Sequence, residues 1–325
     1  MTRDIYFTEA LREALTEAMV ADSTVAIIGE DVEGGGAFGI ERGLRDRFGT
    51  VRVRNSPISE ATVLGSCIGA ATCGLRPVMD IMFSSFLYIA FDQVGNQAAR
   101  LRYMSGGQLS VPLVVIAGTG PSGSAAAQHS ENPHPLLMQL SGIKVVMPST
   151  PSDAGGLLLQ SIRDPNPVVF LVDIKLMGEK GAVSEKILPI PFGKADVKRS
   201  GSDVTVVAIG SAVGKALLVA DEVSTEGISC EVIDPRTLVP LDWDCIFRSV
   251  RRTGRMIVVD PTRRTCGAGS EIVSRVVGEC WGDLKAAPEI VAWPDVPIPY
   301  SPPLEQAVIS MMPDIRAAVL NTLKK

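Results

Sequence analysis

The stretch TEALREALTEAMVADSTVAII, residues 8–28, sets the first two elements and with them the fold class. Leu11, Ala14, Leu15, Ala18 and Met19 recur at three- and four-residue spacing, which predicts a helix over 8–21 with one apolar face. Asp22-Ser23 ends it. TVAII (24–28) follows as a short apolar run without period-2 alternation, the pattern of a parallel strand covered on both faces. The alternation repeats as helix 60–73, apolar run 77–82, helix 88–103, strands 112–117 and 143–147, helix 152–163 and strand 167–172. Such an order predicts an α/β unit ending near residue 190.

ILPIPFGKADVKRSGSD (187–203) changes texture, with prolines and a Lys/Arg/Ser run, and reads as a connector. A second α/β unit follows, with strands VTVVAIG (204–210), CEVID (230–234), RMIVVD (255–260) and EIVAW (289–293) and helices at 211–226, 241–252 and 268–281. The expected organisation is two doubly wound domains with mainly parallel sheets, 1–190 and 204–325, joined by a linker at 191–203.

The chain has 325 residues, too many for one ordinary hydrophobic core, and is 46% hydrophobic, enough to bury surface against partner chains as well. A net charge of −5, with no basic run beyond Arg251-Arg252 or Arg263-Arg264, argues against nucleic acid as partner. No stretch reaches the roughly 20 apolar residues of a membrane span, and MTRDIYFTEALREAL lacks the basic-then-apolar order of a signal peptide. The expectation is a cytoplasmic protein. Its six cysteines (Cys67, Cys73, Cys230, Cys245, Cys266, Cys280) form no C-x-x-C and read as buried thiols.

Three stretches carry candidate chemistry. The glycine-rich EDVEGGGAFGIERGL (30–44) fits neither G-x-x-x-x-G-K-[ST] nor G-x-G-x-x-G, so a flexible loop is its first reading. In NSPISEATVLGSCIGAATCGLRPVMD (55–80), Glu60 opens a helix of small residues that suits close packing. A glutamate there is either a first-turn acid favoured by the helix dipole or a buried carboxyl that must be neutral or partnered. His129 and His134, the only histidines, lie in SAAAQHSENPHP (124–135). Prolines on both sides of His134 exclude the i, i+4 helical spacing of a zinc pair, whereas His129 sits where a loop can present it.

SPISEA (56–61), GLRPVMDIMFSSFLYIAFDQ (74–93), RYMSGG (102–107), AQHS (127–130), KVVMPSTPSDAGGLL (144–158), IRDPNPVVFL (162–171) and PDVPIPYSPPLE (294–305) together resemble the beta subunit of thiamine-diphosphate-dependent 2-oxoacid dehydrogenases. That group comprises the pyruvate, branched-chain 2-oxoacid and acetoin dehydrogenases, and its chain is transketolase-like. The resemblance implies an N-terminal pyrimidine-binding domain, a transketolase C-terminal-like domain and an assembly of two alpha and two beta chains. In the family the alpha chain holds the diphosphate through Mg2+ with a Gly-Asp-Gly motif. Here only Gly282-Asp283-Leu284 approaches it, so this chain is expected to hold half a site.

Carried over residue by residue, Glu60 matches the glutamate that hydrogen-bonds the aminopyrimidine ring nitrogen N1′, and Phe86 the aromatic that stacks on that ring. His129 matches the histidine that assists proton transfer as the acyl unit passes to lipoamide, and Glu30 an acidic residue between the two active sites. Ser161, Asp164 and Asn166 fall where some relatives bind a structural potassium ion (K+). The resemblance therefore implies decarboxylation of a 2-oxoacid, or cleavage of an acyloin such as acetoin, with the acyl unit passed to a lipoyl acyltransferase core. A divergent subunit that serves another acyl acceptor in a biosynthetic pathway is the alternative. ENPHPLLMQL (131–140) and DIKLMGEKGAVSEK (173–186) depart from the family pattern around substrate and partner contacts.

Overall fold

The apolar face at 8–21 is borne on a helix, α1 (Phe7–Ala21), which buries Phe7, Ala10, Leu11, Ala14, Leu15, Ala18 and Met19. It follows β1 (Thr2–Tyr6) and leads through β2 (Val25–Gly29), α2 (Leu44–Phe48), β3 (Val53–Asn55), α3 (Glu60–Thr72), β4 (Arg76–Phe83), α4 (Leu101–Met104) and β5 (Val114–Thr119). Next come α5 (His134–Met138), β6 (Lys144–Val146), α6 (Pro151–Arg163), β7 (Val168–Asp173) and β8 (Lys180–Ser184). The remainder is β9 (Asp196–Arg199), β10 (Val204–Ala208), α7 (Ala212–Ser224), β11 (Cys230–Asp234), β12 (Thr237–Val239), α8 (Trp243–Thr253), β13 (Met256–Arg263), α9 (Ala268–Cys280), β14 (Glu289–Trp293), α10 (Pro302–Ile309) and α11 (Met312–Leu323). This computed structural model describes residues 2–121 and 123–324.

The chain divides into two units. One gathers the chain up to Thr119 and Leu136–Phe192; the other gathers Gly120–Pro135 and the chain from Gly193 onward. The segment that carries both histidines, 124–135, thus packs with the second unit, although it lies within the sequence of the first.

In the first unit, parallel strands run in the order β6-β7-β5-β4-β2-β3. β5 and β7 are buried at every residue, on both faces, whereas β2 alternates buried with half-buried residues. Helices α1 and α6 pack against each other, and at Gly155 a Cβ would stand 3.3 Å from the Ala10 carbonyl. Thr150 caps α6 by accepting from Asp153 N–H (3.2 Å), and Pro151 occupies its first turn. An antiparallel ribbon, β1 with β8, stands apart from the main sheet.

The second unit has its own core, around Val206, Ile257, Val259 and Ile315. Its sheet runs β14-β13-β10-β11-β9, parallel except where β9 pairs antiparallel with β11. β9 lies inside the stretch read as linker. Its Lys/Arg-rich sequence gives no strand signal, yet as an edge strand it needs only one hydrogen-bonded neighbour.

Two further readings change. The helix expected over 88–103 is a 3-10 turn (Ser84–Tyr88), a π-helical turn (Gln93–Ala98) and α4, with Gly95 inside the π turn. Of the six cysteines, all free, Cys73 and Cys266 are exposed. Burial pushes the Cys67 thiol up to about 12 and the Cys230 thiol up to about 11.

Candidate active site

Strand order locates the first cluster. From β2 the chain passes outward to β3 and then returns to β4 on the other flank of β2, so the connections part at the carboxyl ends of β2 and β4. In open parallel sheets such a switch point leaves a crevice. Glu30 is the first residue past β2, and Glu60, the first residue of α3, follows β3. The Ser56 N–H donates to the Gly29 carbonyl (2.8 Å), tying the PISEA segment to the end of β2.

Glu60 is 9% exposed, and no hydrogen bond or ion pair within the described residues engages its carboxyl. A buried carboxyl without a protein partner is open to a polar partner from outside the chain. Burial, the Glu60 charge and the Asp31 charge, in that order, hold Glu30 above the ordinary carboxylate range. The structure therefore brings Glu30 and Glu60 together.

Phe86 lies on the 3-10 turn after β4 and meets Phe83 edge-on, with centroids 5.7 Å apart. Phe83 in turn meets Phe38 edge-on at 5.3 Å. Phe38 belongs to the glycine-rich loop and rests over Gly118 at the end of β5; a Cβ there would lie 2.7 Å from Phe38 Cε2. The loop is thus anchored, with Ile40 and Glu41 fully or almost fully buried, and is not the flexible segment its composition suggests.

Glu41 and Asp80 form a second carboxyl pair that the sequence reading missed. Both are buried, and both send an oxygen toward Gly36, where a Cβ would collide with Glu41 Oε2 and come within 3.2 Å of Asp80 Oδ2. Two buried carboxylates side by side repel, which favours the protonated form of at least one of them. Burial first, then the Asp80 charge, holds Glu41 well above the ordinary range; burial raises Asp80 to about 6, against the Met82 N–H that donates to Asp80 Oδ1 at 2.7 Å. The signal in the sequence was an acid, Asp80, inside the apolar run VMDIM; Glu41, followed by Arg42 in GIERGL, gave none.

His129 ends a short 3-10 turn (Ala127–His129) and is half-buried in the second unit. His134 is wholly buried and bonds Asp260 through Nε2 (2.8 Å). Its Nε2 is thus engaged by a carboxylate, and among the described residues no group of three or more His, Cys, Asp or Glu is placed to hold a metal ion.

Ser161, Asp164 and Asn166 lie at the end of α6 and before β7, at the amino end of that strand and away from Glu30 and Glu60. Asp164 Oδ1 accepts from Lys144 Nζ (2.9 Å) and from the Asn166 backbone and side-chain N–H groups, and the Ser161 hydroxyl donates to the Leu157 carbonyl. The carboxylate of this set already has a cation in the Lys144 ammonium.

Comparison with known proteins agrees with this architecture. Residues 3–178 match the family model described as transketolase, pyrimidine binding domain, and residues 193–315 match transketolase, C-terminal domain. The chain is 42% identical to the acetoin:2,6-dichlorophenolindophenol oxidoreductase subunit beta of Cupriavidus necator, covering 100% of this chain and 99% of the relative. It is 43% identical to the pyruvate dehydrogenase E1 component subunit beta of Rickettsia conorii, covering 96% of each. A solved split-gene transketolase, an inactive beta4 tetramer, shares the fold with a TM-score of 0.81 at 23% identity, over 98% of this chain and 99% of that one. The chain belongs to the transketolase-like family of dehydrogenase beta subunits. Among the described residues no helix is long and apolar enough to cross a membrane.

Proposed function

We propose that the chain is the beta subunit of a thiamine-diphosphate-dependent 2-oxoacid or acetoin dehydrogenase that works with an alpha subunit, in a tetramer of two alpha and two beta chains. The observation that carries this reading is the buried, unengaged Glu60 carboxyl beside Glu30 at the switch point of a pyrimidine-binding fold. The donor set fits the aminopyrimidine half of the cofactor: a carboxyl for a ring nitrogen and an aromatic face, Phe86, for the ring. When bound, thiamine diphosphate supplies the nucleophilic carbon and the electron sink for cleavage next to a carbonyl.

The chain's own residues have four tasks. Glu60 holds a proton at its carboxyl for exchange with N1′, and its burial keeps water from competing for that hydrogen bond. Glu30, held protonated more readily than an ordinary carboxylate, limits negative charge beside it. Phe86 orients the ring, and the Phe38–Phe83 contact behind it excludes water. His129 gives or takes a proton on its imidazole as the acyl unit leaves for a lipoyl carrier.

Magnesium and the diphosphate fall to the alpha subunit, since no Gly-Asp-Gly is present here. Potassium is left out of the proposal because Lys144 neutralises Asp164. The dehydrogenase names of the relatives favour a lipoyl acceptor over a biosynthetic one. The test is co-expression with an alpha-type subunit and measurement of pyruvate- or acetoin-dependent dye reduction with thiamine diphosphate and magnesium. Activity that requires both chains and the cofactor supports the reading; a purified complex inert toward every 2-oxoacid and acyloin overturns it.

A further inference from the structure

The segment Glu131–His134 docks along β13 in antiparallel order. Glu131 makes a two-pronged ion pair with Arg263 (2.7 and 2.8 Å). The Asn132 amide donates to the Pro261 carbonyl, while the Thr262 hydroxyl donates back to the Asn132 carbonyl at 3.1 Å. His134 Nε2 completes the row at Asp260 Oδ1, and Asp260 Oδ2 accepts the Gly269 N–H (2.9 Å) at the start of α9. Upstream, the Ser124 N–H donates to Glu305 (2.8 Å).

His129 is therefore slung between an anchor at Ser124 and a row of anchors from Glu131 onward. Ser124 and Ala126, neither a glycine, hold positive φ angles of 66° and 61°. Backbone in that region persists where its surroundings enforce it. Prolines on either side of His134 stiffen the chain at the last anchor. The pair is also exacting: His134 is 0% and Asp260 is 0% exposed, so loss of either partner strands a buried polar group.

We infer that His134 is a positioning residue for His129: its hydrogen bond to Asp260 latches the histidine-bearing segment to the second unit, and acyl transfer to a dithiolane carrier depends on that latch. The inference rests on the proposed function for its chemistry, but the latch can be read without it. Neither histidine needs to touch the other. The imidazole at 134 supplies a donor at Nε2, a distance from the backbone that glutamine reproduces and alanine does not.

The experiment uses the alpha-beta holoenzyme with His134→Ala, His134→Gln and Asp260→Asn. Hydrogen exchange reports the segment 123–133, and two assays report the chemistry, one with an artificial dye and one with lipoamide. His134→Ala is expected to speed exchange across the segment and to lower lipoamide acylation by about 100-fold, the scale of an ångström-size misplacement of a reacting group, while dye reduction persists. Glutamine restores both; Asp260→Asn behaves like alanine. Unchanged exchange in His134→Ala overturns the latch, as does equal loss in both assays that tracks a falling unfolding temperature. Wild-type holoenzyme without cofactor-dependent dye reduction overturns the proposed function instead, and the exchange result then decides the latch alone.

Discussion

Glu41 of the glycine-rich loop and Asp80 of β4, 1% and 4% exposed, both turn a carboxyl oxygen toward Gly36. Burial raises both carboxyls above their unfolded values, Asp80 from 3.8 to about 6. A raised acid binds more protons folded than unfolded, so its contribution to stability is full below the unfolded value and is lost as pH climbs through the folded one. The unfolding midpoint is expected to fall from about pH 4 through pH 6 and beyond as the pair gives up its proton. Arg12 and Glu30 are the other charged groups that bear on the pair. Glu41→Gln supplies a permanent donor to Asp80 and should flatten that slope, measured by thermal unfolding across the range. A slope identical to wild type refutes the raised pair.

Glu60→Gln tests the carboxyl at the start of α3. An amide matches its shape but holds no exchangeable acid proton, so turnover of the holoenzyme should drop by at least about 100-fold, the usual range of a general acid or base. The unfolding midpoint should hold or rise, because the amide lacks a charge to bury. Kinetics and calorimetry on the same preparation separate the two effects, and undiminished turnover would sink the role given to Glu60.

Gly118→Ala probes the aromatic stack from below. The added Cβ would lie 2.7 Å from Phe38 Cε2 and 2.8 Å from the Met82 carbonyl, and the second of these is backbone. Overpacking of this kind costs about 1–3 kcal/mol. Denaturant unfolding should record that loss, and Phe38→Ala in the same chain should recover part of it by vacating the contact.

The thiols offer a check on the cores. In the chain on its own, Cys73 and Cys266 should react quickly with a thiol reagent, while Cys67, Cys230, Cys245 and Cys280 react only on unfolding. Burial keeps Cys67 and Cys230 protonated as well as covered. Fast titration of more than two groups in native buffer would contradict the packing described.

The α/β alternation was legible because strands such as Val114–Thr119 are apolar on both faces and the helices between them carry one apolar face. β1 was not, since Thr2–Tyr6 alternates between half-buried and exposed residues and finds its partner at Lys180–Ser184, far along the chain. β9 hid for a similar reason: Asp196–Arg199 is charged at three of its four positions. In the site, Glu30 and Glu60 stood out through family motifs, and the Glu60 charge acts on Glu30. Asp80 was visible as an acid among apolar neighbours, but Glu41, followed by Arg42, was not, and the sheet register that levels Asp80 with Gly29 is what brings the loop acid to it. The partner of His134 was beyond any local reading, because Asp260 lies 126 residues away.

The excursion of Gly120–Pro135 into the second unit has a consequence for anyone who would divide this gene. A cut at the connector yields a fragment starting at Gly193 that owns the sheet but not its sixteen-residue insert from upstream, leaving Asp260, Arg263 and Glu305 without their partners from that stretch. The covalent halves and the folding halves of this polypeptide are different objects, and a two-piece version would have to trade that strip across the break, by complementation, before either piece matured.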